Sequence, residues 1–276
     1  MAAKQLGVRP VIWIVAVGGW AIGMLEFIGG VGYLLADVLA ASRKGLFDKR
    51  GRRMGWENLW AQMVRVGVRS IPIVMLVLFC IGAILALQMS PILKEYGAVN
   101  QVARIISVAV FRELGPLVSA IVLTGFAGAS IAAEIGTMVV SEEVEALQAH
   151  AIDPVRFLVL PRVAATGVMM ICVAIIGDLT GVSGGLFVSR IFLGVNAEQY
   201  FRLTFEAPKV RDFITGLIKS GVFGVLISAL ACHLGLNVTG GAQGVGVATT
   251  RTVVLTIVCL ILVDLMFTAM FFYLGW

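Results

Sequence analysis

Two stretches of the chain, residues 71–89 and residues 114–133, contain no charged side chain at all. A helix in water needs a polar face, and neither stretch has one. In hydrocarbon the demand is reversed: a helix that closes its own backbone hydrogen bonds and presents apolar side chains is what survives there. At a rise of about 1.5 Å per residue, each stretch covers about 30 Å, the thickness of a bilayer core. Composition agrees, since 59% of the 276 residues are hydrophobic and 13% are charged, with a mean hydropathy of +1.00. A soluble fold of this length would need a polar shell that these residues do not supply. The expected fold is an all-α integral membrane protein.

Five transmembrane helices are expected, at residues 71–89, 105–133, 163–188, 213–236 and 252–275. Residues 11–40 precede them and are also apolar, but they contain Glu26, Asp37 and several glycines. Basic residues flank this segment on both sides, Lys4 and Arg9 before it and Arg43, Lys44, Lys49, Arg50, Arg52 and Arg53 after it. A full span, which hydropathy alone allows, would leave one basic end outside, against the positive-inside tendency. An interfacial or re-entrant pair of helices, with both ends cytoplasmic, is therefore expected. The organisation that follows is an N-terminal elbow and basic loop over residues 1–60 and a five-span unit over residues 61–276. The basic cluster, continued by Arg65 and Arg69 just before the first clean span, reads as a cytoplasmic loop beside anionic lipid rather than a nucleic-acid surface. That orientation puts residues 91–101 and 190–212 outside, and His150 and residues 237–251 inside. The N-terminus is then cytoplasmic and the C-terminus outside.

Several chemistries lack their residues. Cys80, Cys172, Cys232 and Cys259 lie singly in apolar stretches, without the spacing of a disulfide framework or zinc site. With two histidines in the chain, no metal site is expected. Gly181-Val-Ser-Gly-Gly185 has the form of a nucleophile elbow, but no strand precedes it and neither His150 nor His233 is placed as its base. Residues 240–246 are glycine-rich without the Lys-Ser/Thr ending of a phosphate-binding loop, and a flexible loop is expected there. Asn237-Val-Thr239 matches a glycosylation acceptor but falls on the cytoplasmic side. Neither a cleaved signal nor a transit peptide is visible. No second soluble domain is visible, and there is no room for a nucleotide-binding one.

The segment from Thr137 to Pro154 is polar between two spans. Ser141 is placed to cap a short helix, and Glu142 and Glu143 suit its positive N-terminal end. Val144, Leu147 and Ala151 repeat at helical spacing beside the carboxylates, giving one apolar face. Asp153-Pro154 is expected to stop the helix, since a residue before proline avoids helical backbone angles. Such a helix is either a docking peg for a soluble partner or a solvated link between two spans.

Phe111-Arg-Glu-Leu-Gly-Pro116, Ala132-Ala-Glu-Ile-Gly136, Glu142-Glu-Val-Glu-Ala-Leu147, Ile152-Asp-Pro154 and Leu160-Pro-Arg162 follow one another along the chain. Leu217-Ile-Lys-Ser220 and Gly246-Val-Ala-Thr-Thr-Arg-Thr252 come later. In this combination the chain resembles the MlaE (YrbE-type) permease family over residues 71–275. The resemblance implies a homodimeric permease, two cytoplasmic ABC ATPase subunits that hold the ATP and magnesium, and an MCE-domain protein outside. Together these move phospholipid or a related lipid between the inner membrane and the outer envelope of a bacterium. It implies no catalysis by this chain and no cofactor bound to it. By the same match, residues 137–152 hold the coupling helix that seats in the ATPase. Glu142, Glu143, Glu145, Ala146, Leu147 and Asp153 are the coupling residues, although position 143 is often Gln in the family. The N-terminal forty residues match less closely, though the family begins with an elbow helix.

Charges interrupt the spans at Arg112, Glu113, Asp178, Lys219 and Asp264, and each needs a partner or water. Arg112 and Lys219 suit a lipid phosphate, with Glu113 orienting Arg112. The resemblance places these three near the dimer's lipid cavity. Structural pairing, Glu113 with Lys219 or Asp264 with Arg251, is the competing reading, and Asp178 and Asp264 are taken as structural. Gly216, Ser220 and Gly224 form a small-residue stripe for close helix approach, as do Ala129 and Ala133. Pro116 predicts a break that lines a cavity. A self-sufficient secondary transporter would need midplane ion sites and usually an internal repeat. An intramembrane enzyme would need a nucleophile and base, or a metal. Neither set is evident.

Overall fold

Helix after helix follows from the apolar stretches. The computed structural model describes residues 8–47, 52–98 and 101–275, and among these residues there is no strand. In chain order the helices are α1 (Val8–Phe47), α2 (Arg52–Val66), α3 (Ile71–Glu95), α4 (Val102–Ala109), α5 (Gly115–Leu123) and α6 (Ala129–Val140). After them come α7 (Glu143–Ala149), α8 (Leu160–Leu193), α9 (Ala197–Glu206), α10 (Val210–Leu236) and α11 (Gly241–Tyr273). Wide π turns at Val110–Leu114 and Thr124–Gly128 join α4, α5 and α6 into one rod, and a third at Val155–Val159 leads into α8. Helices long and apolar enough to cross a bilayer cover the expected stretches, at Trp56–Glu95, Val102–Val140, Val155–Leu193, Val210–Leu236 and Gly241–Tyr273, the last ending two residues short of the expected bound at 275.

The N-terminal segment departs from expectation. It is one unbroken helix of 40 residues, not a re-entrant pair. Pro10 lies in its first turn, where proline is tolerated, and no later proline interrupts it. Scattered glycines weaken a helix by about 1 kcal/mol each without ending it. Its Ala21–Arg43 portion is long and apolar enough to cross a bilayer. Val31, Leu34, Val38 and Ala41 make its buried stripe, while Glu26 and Asp37 are exposed. Val31 packs with Ala229 and Leu230 of α10, and Phe27 meets the His233 ring edge-on at 5.5 Å.

Small residues set the spacing of the bundle. A Cβ on Gly82 of α3 would strike the Gly181 carbonyl of α8, and one on Gly184 would strike the Phe79 carbonyl. The glycines that mimic a nucleophile elbow thus form the α3–α8 seam, and the Ser183 hydroxyl donates to the Thr180 carbonyl of its own helix at 2.7 Å. Gly216 and Gly224 likewise admit the Phe111 and Thr166 carbonyls, so the α10 stripe packs as expected. On α11 the buried positions Ala248, Thr252, Thr256, Leu260 and Asp264 recur every four residues, while Val254, Val258, Ile261, Leu262, Leu265 and Met266 are exposed. Thr252, Thr256 and Asp264 thus face in while a run of large apolar side chains faces out, the reverse of a soluble helix over this stretch.

The glycine-rich loop expected at 240–246 is mostly helix. Gly240 and Gly241, with φ of 88° and 66°, reverse the chain, and α11 begins at Gly241. Both take a left-handed geometry that costs glycine little. This turn and α7 lie at one end of the bundle, where Val238 and Val245 surround Gly136. At the other end α9 packs on α4, and the Tyr200 hydroxyl donates to the Val182 carbonyl at 3.2 Å.

Replacing Gly184 with leucine overpacks the seam and should destabilise the protein by about 1–3 kcal/mol. Thermal unfolding in detergent checks this, with Gly246→Ala as a control: open space surrounds Gly246, and its melting temperature should be unchanged or higher.

Candidate coupling helix and buried charge cluster

Pro116 shapes the first part of the site. It has no N–H to give and would press on a carbonyl four residues back in an α-helix. The chain widens instead: Gly115 N–H reaches back to the Val110 carbonyl across the π turn. The expected break is therefore a change of helical register, and it presents Arg112 and Glu113 together while burying Phe111.

Lys219 of α10 is the hub. Its side chain is 1% exposed. Nζ lies 2.8 Å from Glu113 Oε2, 2.9 Å from Thr268 Oγ1 and 2.8 Å from Asp264 Oδ1, the last as an ion-pair contact rather than an aligned hydrogen bond. Thr268 Oγ1 also lies 3.4 Å from Glu113 Oε1. The ammonium has three donors and three oxygen neighbours, two of them hydrogen-bonded to it. Glu113, at 35%, is the member that reaches the surface of the cluster. The structure thus brings Glu113 and Lys219 together as an ion pair.

Arg112 stands apart from this hub. Its side chain, also 35% exposed, pairs with Asp212 Oδ1 at 3.3 Å. Asp212 in turn caps α10 by accepting from the Lys209 backbone N–H at 2.9 Å. Asp264 does not pair with Arg251. Thirteen residues of one helix separate them, about 20 Å of rise, and Arg251 is exposed. Asp178 is buried against Gly115, and its Oδ1 has no hydrogen-bond partner among the described residues.

Asp212, Asp264 and Thr268 are the residues that sequence reasoning passed over or assigned elsewhere. Thr268 had a readable signal, since it lies one helical turn beyond Asp264 on the same face. Asp212 had less, because the segment before α10 gave no Ser/Thr capping pattern.

The segment expected to hold the coupling helix forms α7, but its ends are made differently from expectation. Ser141 closes α6, its one hydroxyl hydrogen shared between the Thr137 carbonyl at 3.0 Å and Glu143 Oε1 at 2.9 Å. The N-cap position is Glu142, with φ of 60°. Glu143 and Glu145 are exposed, Val144 is buried and Leu147 half-buried, as the apolar face requires, with Ala146 exposed beside them. Ala151 is exposed, with φ of 58°. The helix stops before Asp153 is reached. Ala151 N–H donates to the Gln148 carbonyl and Ile152 N–H to the Leu147 carbonyl, a Schellman stop with Ala151 in the left-handed position. Asp153 and Pro154 begin the next element, Asp153 Oδ1 accepting from Val155 N–H at 2.9 Å.

Lys219→Met leaves two carboxylates without their cation and should cost about 3–5 kcal/mol, read as lost monodisperse protein in detergent. The triple variant E113Q/K219M/D264N should recover most of that yield. Ala151→Gly relieves the left-handed strain and should add about 1 kcal/mol, read as a higher melting temperature.

The family model described as Permease MlaE matches residues 59–270, which include the charge cluster and α7. A probable ABC transporter permease protein of Rickettsia prowazekii is 40% identical over 211 residues, 76% of this chain and 82% of the relative. A probable ABC transporter permease protein of Synechocystis is 34% identical over 224 residues, covering 81% of this chain and 82% of that protein. The chloroplastic protein TRIGALACTOSYLDIACYLGLYCEROL 1 of Arabidopsis thaliana is 30% identical over 220 residues, 80% of this chain and 63% of that protein. With this coverage and these spans, the chain belongs to the MlaE permease family and is a multi-pass membrane permease subunit of the ABC transporter type, the class that works with ATPase partners.

Proposed function

We propose that this permease moves phospholipid or a related lipid between the inner membrane and the outer envelope of a bacterium. It acts as a homodimer, with ATP and magnesium held by ATPase subunits under α7 and an MCE-domain protein at the α9 end. The observation that carries the lipid reading is the Arg112–Glu113 pair. A cation and a carboxylate, each about a third exposed, sit on a π turn within an otherwise apolar span. A zwitterionic or anionic headgroup needs such polar contact, while its acyl chains need the apolar surface around it. In this reading Arg112 meets the lipid phosphate, Glu113 forms the wall beside it, and Lys219 holds Glu113 in place. The Arabidopsis relative bears the name of a diacylglycerol lipid, which favours the same substrate class.

The α7 end is cytoplasmic in this proposal, because α2 and the basic residues 43–53 precede the span that begins there. The C-terminus of α11 is then periplasmic. The N-terminal helix α1 serves as the elbow, flanking α10 with its exposed face in lipid. Glu142, Glu143 and Glu145 meet the ATPase, Ala146 and Leu147 shape the seat, and Asp153 fixes the exit of the segment. ATP-driven displacement of α7 alternately opens and narrows the lipid path, which requires the two states to differ in affinity for lipid.

The double reversal E142R/E145R should release the ATPase while the permease stays folded; copurification at the wild-type level would overturn the docking assignment. Arg112→Ala should lower photo-crosslinking of a phospholipid probe in the reconstituted complex by about tenfold. Unchanged crosslinking would remove Arg112 from the lipid path.

A further inference from the structure

A second charge cluster lies at the α7 end, separate from the hub at Lys219. Glu134 of α6 uses both carboxylate oxygens: Oε1 is 3.1 Å from Arg162 Nη2 on α8, and Oε2 is 2.7 Å from Arg65 Nη1 on α2. Arg162 is buried, and its Nη1 donates to the Leu158 carbonyl at 2.7 Å, inside the π turn that opens α8. Arg65 is about half-exposed and also reaches Ser130 Oγ at 3.5 Å, across a groove of about 410 Å³ that Ala133, Thr137 and Met138 help to line.

The placement of these residues gives the cluster its meaning. α6 enters α7 and α8 leaves it, so they are the two stems on which the coupling segment stands. The stems belong to different sides of the bundle, α6 packing chiefly on α10 and α11, and α8 chiefly on α3, α10 and α2. A push on a seven-residue helix moves both sides together only if its stems cannot splay. The Glu134–Arg162 pair closes the hairpin at its base, and Arg65 adds α2 to the same carboxylate. A carboxylate is required because it offers two anionic oxygens to two guanidinium groups. An amide would offer one oxygen and leave Arg162 buried without an anion, its Nε already lacking a partner among the described residues.

We propose that Glu134 is a positioning residue that makes α2, α6 and α8 respond to α7 as one body, so that ATP hydrolysis is converted into lipid movement. It acts through Arg162 and Arg65 and touches no lipid. The inference rests on the reading of α7 as the ATPase seat.

The native complex, with its ATPase and envelope partners, is reconstituted in phosphatidylethanolamine–phosphatidylglycerol vesicles carrying fluorescent phosphatidylethanolamine. ATPase retention, ATP hydrolysis and labelled lipid transferred per ATP are read separately. Glu134→Gln should retain the ATPase and hydrolyse ATP within about twofold of wild type, while lipid moved per ATP falls about tenfold. Glu134→Asp should restore a good part of that ratio. Arg65→Gln, which leaves no buried charge unpaired, keeps the test open if Glu134→Gln fails to fold, and should lower the ratio about threefold. A wild-type ratio in Arg65→Gln and in any folded Glu134→Gln overturns the proposal. Loss of ATPase binding in Glu134→Gln also overturns it, since the residue would then act on docking. Failure of the α7 reading shows independently, as an ATPase that stays bound to E142R/E145R.

Discussion

The cost of a charge in a low-dielectric bundle constrains the rest of this structure. Lys219 is tolerated because Glu113 and Asp264 stand 2.8 Å away and Thr268 takes the third direction. Those partners come from the π turn before α5 and from α11, so one ammonium fixes the relative positions of three spans. In water the same contacts would contribute little, because solvent screens them and competes for them. In the bilayer the unpaired state is the expensive one. Position is therefore specified by what must not be left alone, and hydrophobic burial, which cannot distinguish lipid from a neighbouring helix, has a smaller part in it.

Close approach of backbones makes that pairing geometrically possible. Gly82, Gly184, Gly216 and Gly224 each face a carbonyl of a neighbouring helix at a distance no side chain would permit. The π turns act alongside them. At Val110–Leu114 the extra residue per turn accommodates Pro116 and shifts Glu113 toward Lys219. At Thr124–Gly128 the Ala120 carbonyl accepts from the Thr124 hydroxyl at 2.8 Å. Such turns cluster where a helix must aim a side chain or change register, and here one of them carries the exposed charged pair.

What could be read from the sequence divides along physical lines. Spans were legible because an uncharged helix as long as a bilayer is thick has no polar face to offer water, and the five stretches appear where expected. The α7 face was legible from Val144 and Leu147, since helical periodicity is local. The helix ends were not. Ala151 takes a left-handed geometry that its identity disfavours, and Ser141 closes α6 instead of opening α7. Pairing of charges was legible only in part. Glu113 and Lys219 were candidates for each other, but their third partner required the α10–α11 register. Helix rise alone argued against Asp264 with Arg251. The flanking basic residues suggested a re-entrant N-terminal segment, yet α1 continues because nothing in residues 11–47 stops a helix.

The two charged clusters lie on one rod, so a displacement at one reaches the other through the helix between them. Glu134 is on α6 and Glu113 on the turn before α5, with the Thr124–Gly128 π turn between them. Had the rod been a uniform α-helix, displacement at one cluster would translate the other by the same amount. A wide turn with a different hydrogen-bond register is a place where rotation and translation can be traded. The two clusters anchor the rod to different partners, α2 and α8 at Glu134, α10 and α11 at Glu113. A shift of the lower anchor is then met at the upper one by Lys219, whose three oxygen neighbours resist small strain and give way only together. Packed interiors with such discrete contacts switch between arrangements rather than deform continuously. That property suits a permease subunit of the ABC transporter type, which must hold one state until its ATPase partner supplies enough free energy to leave it.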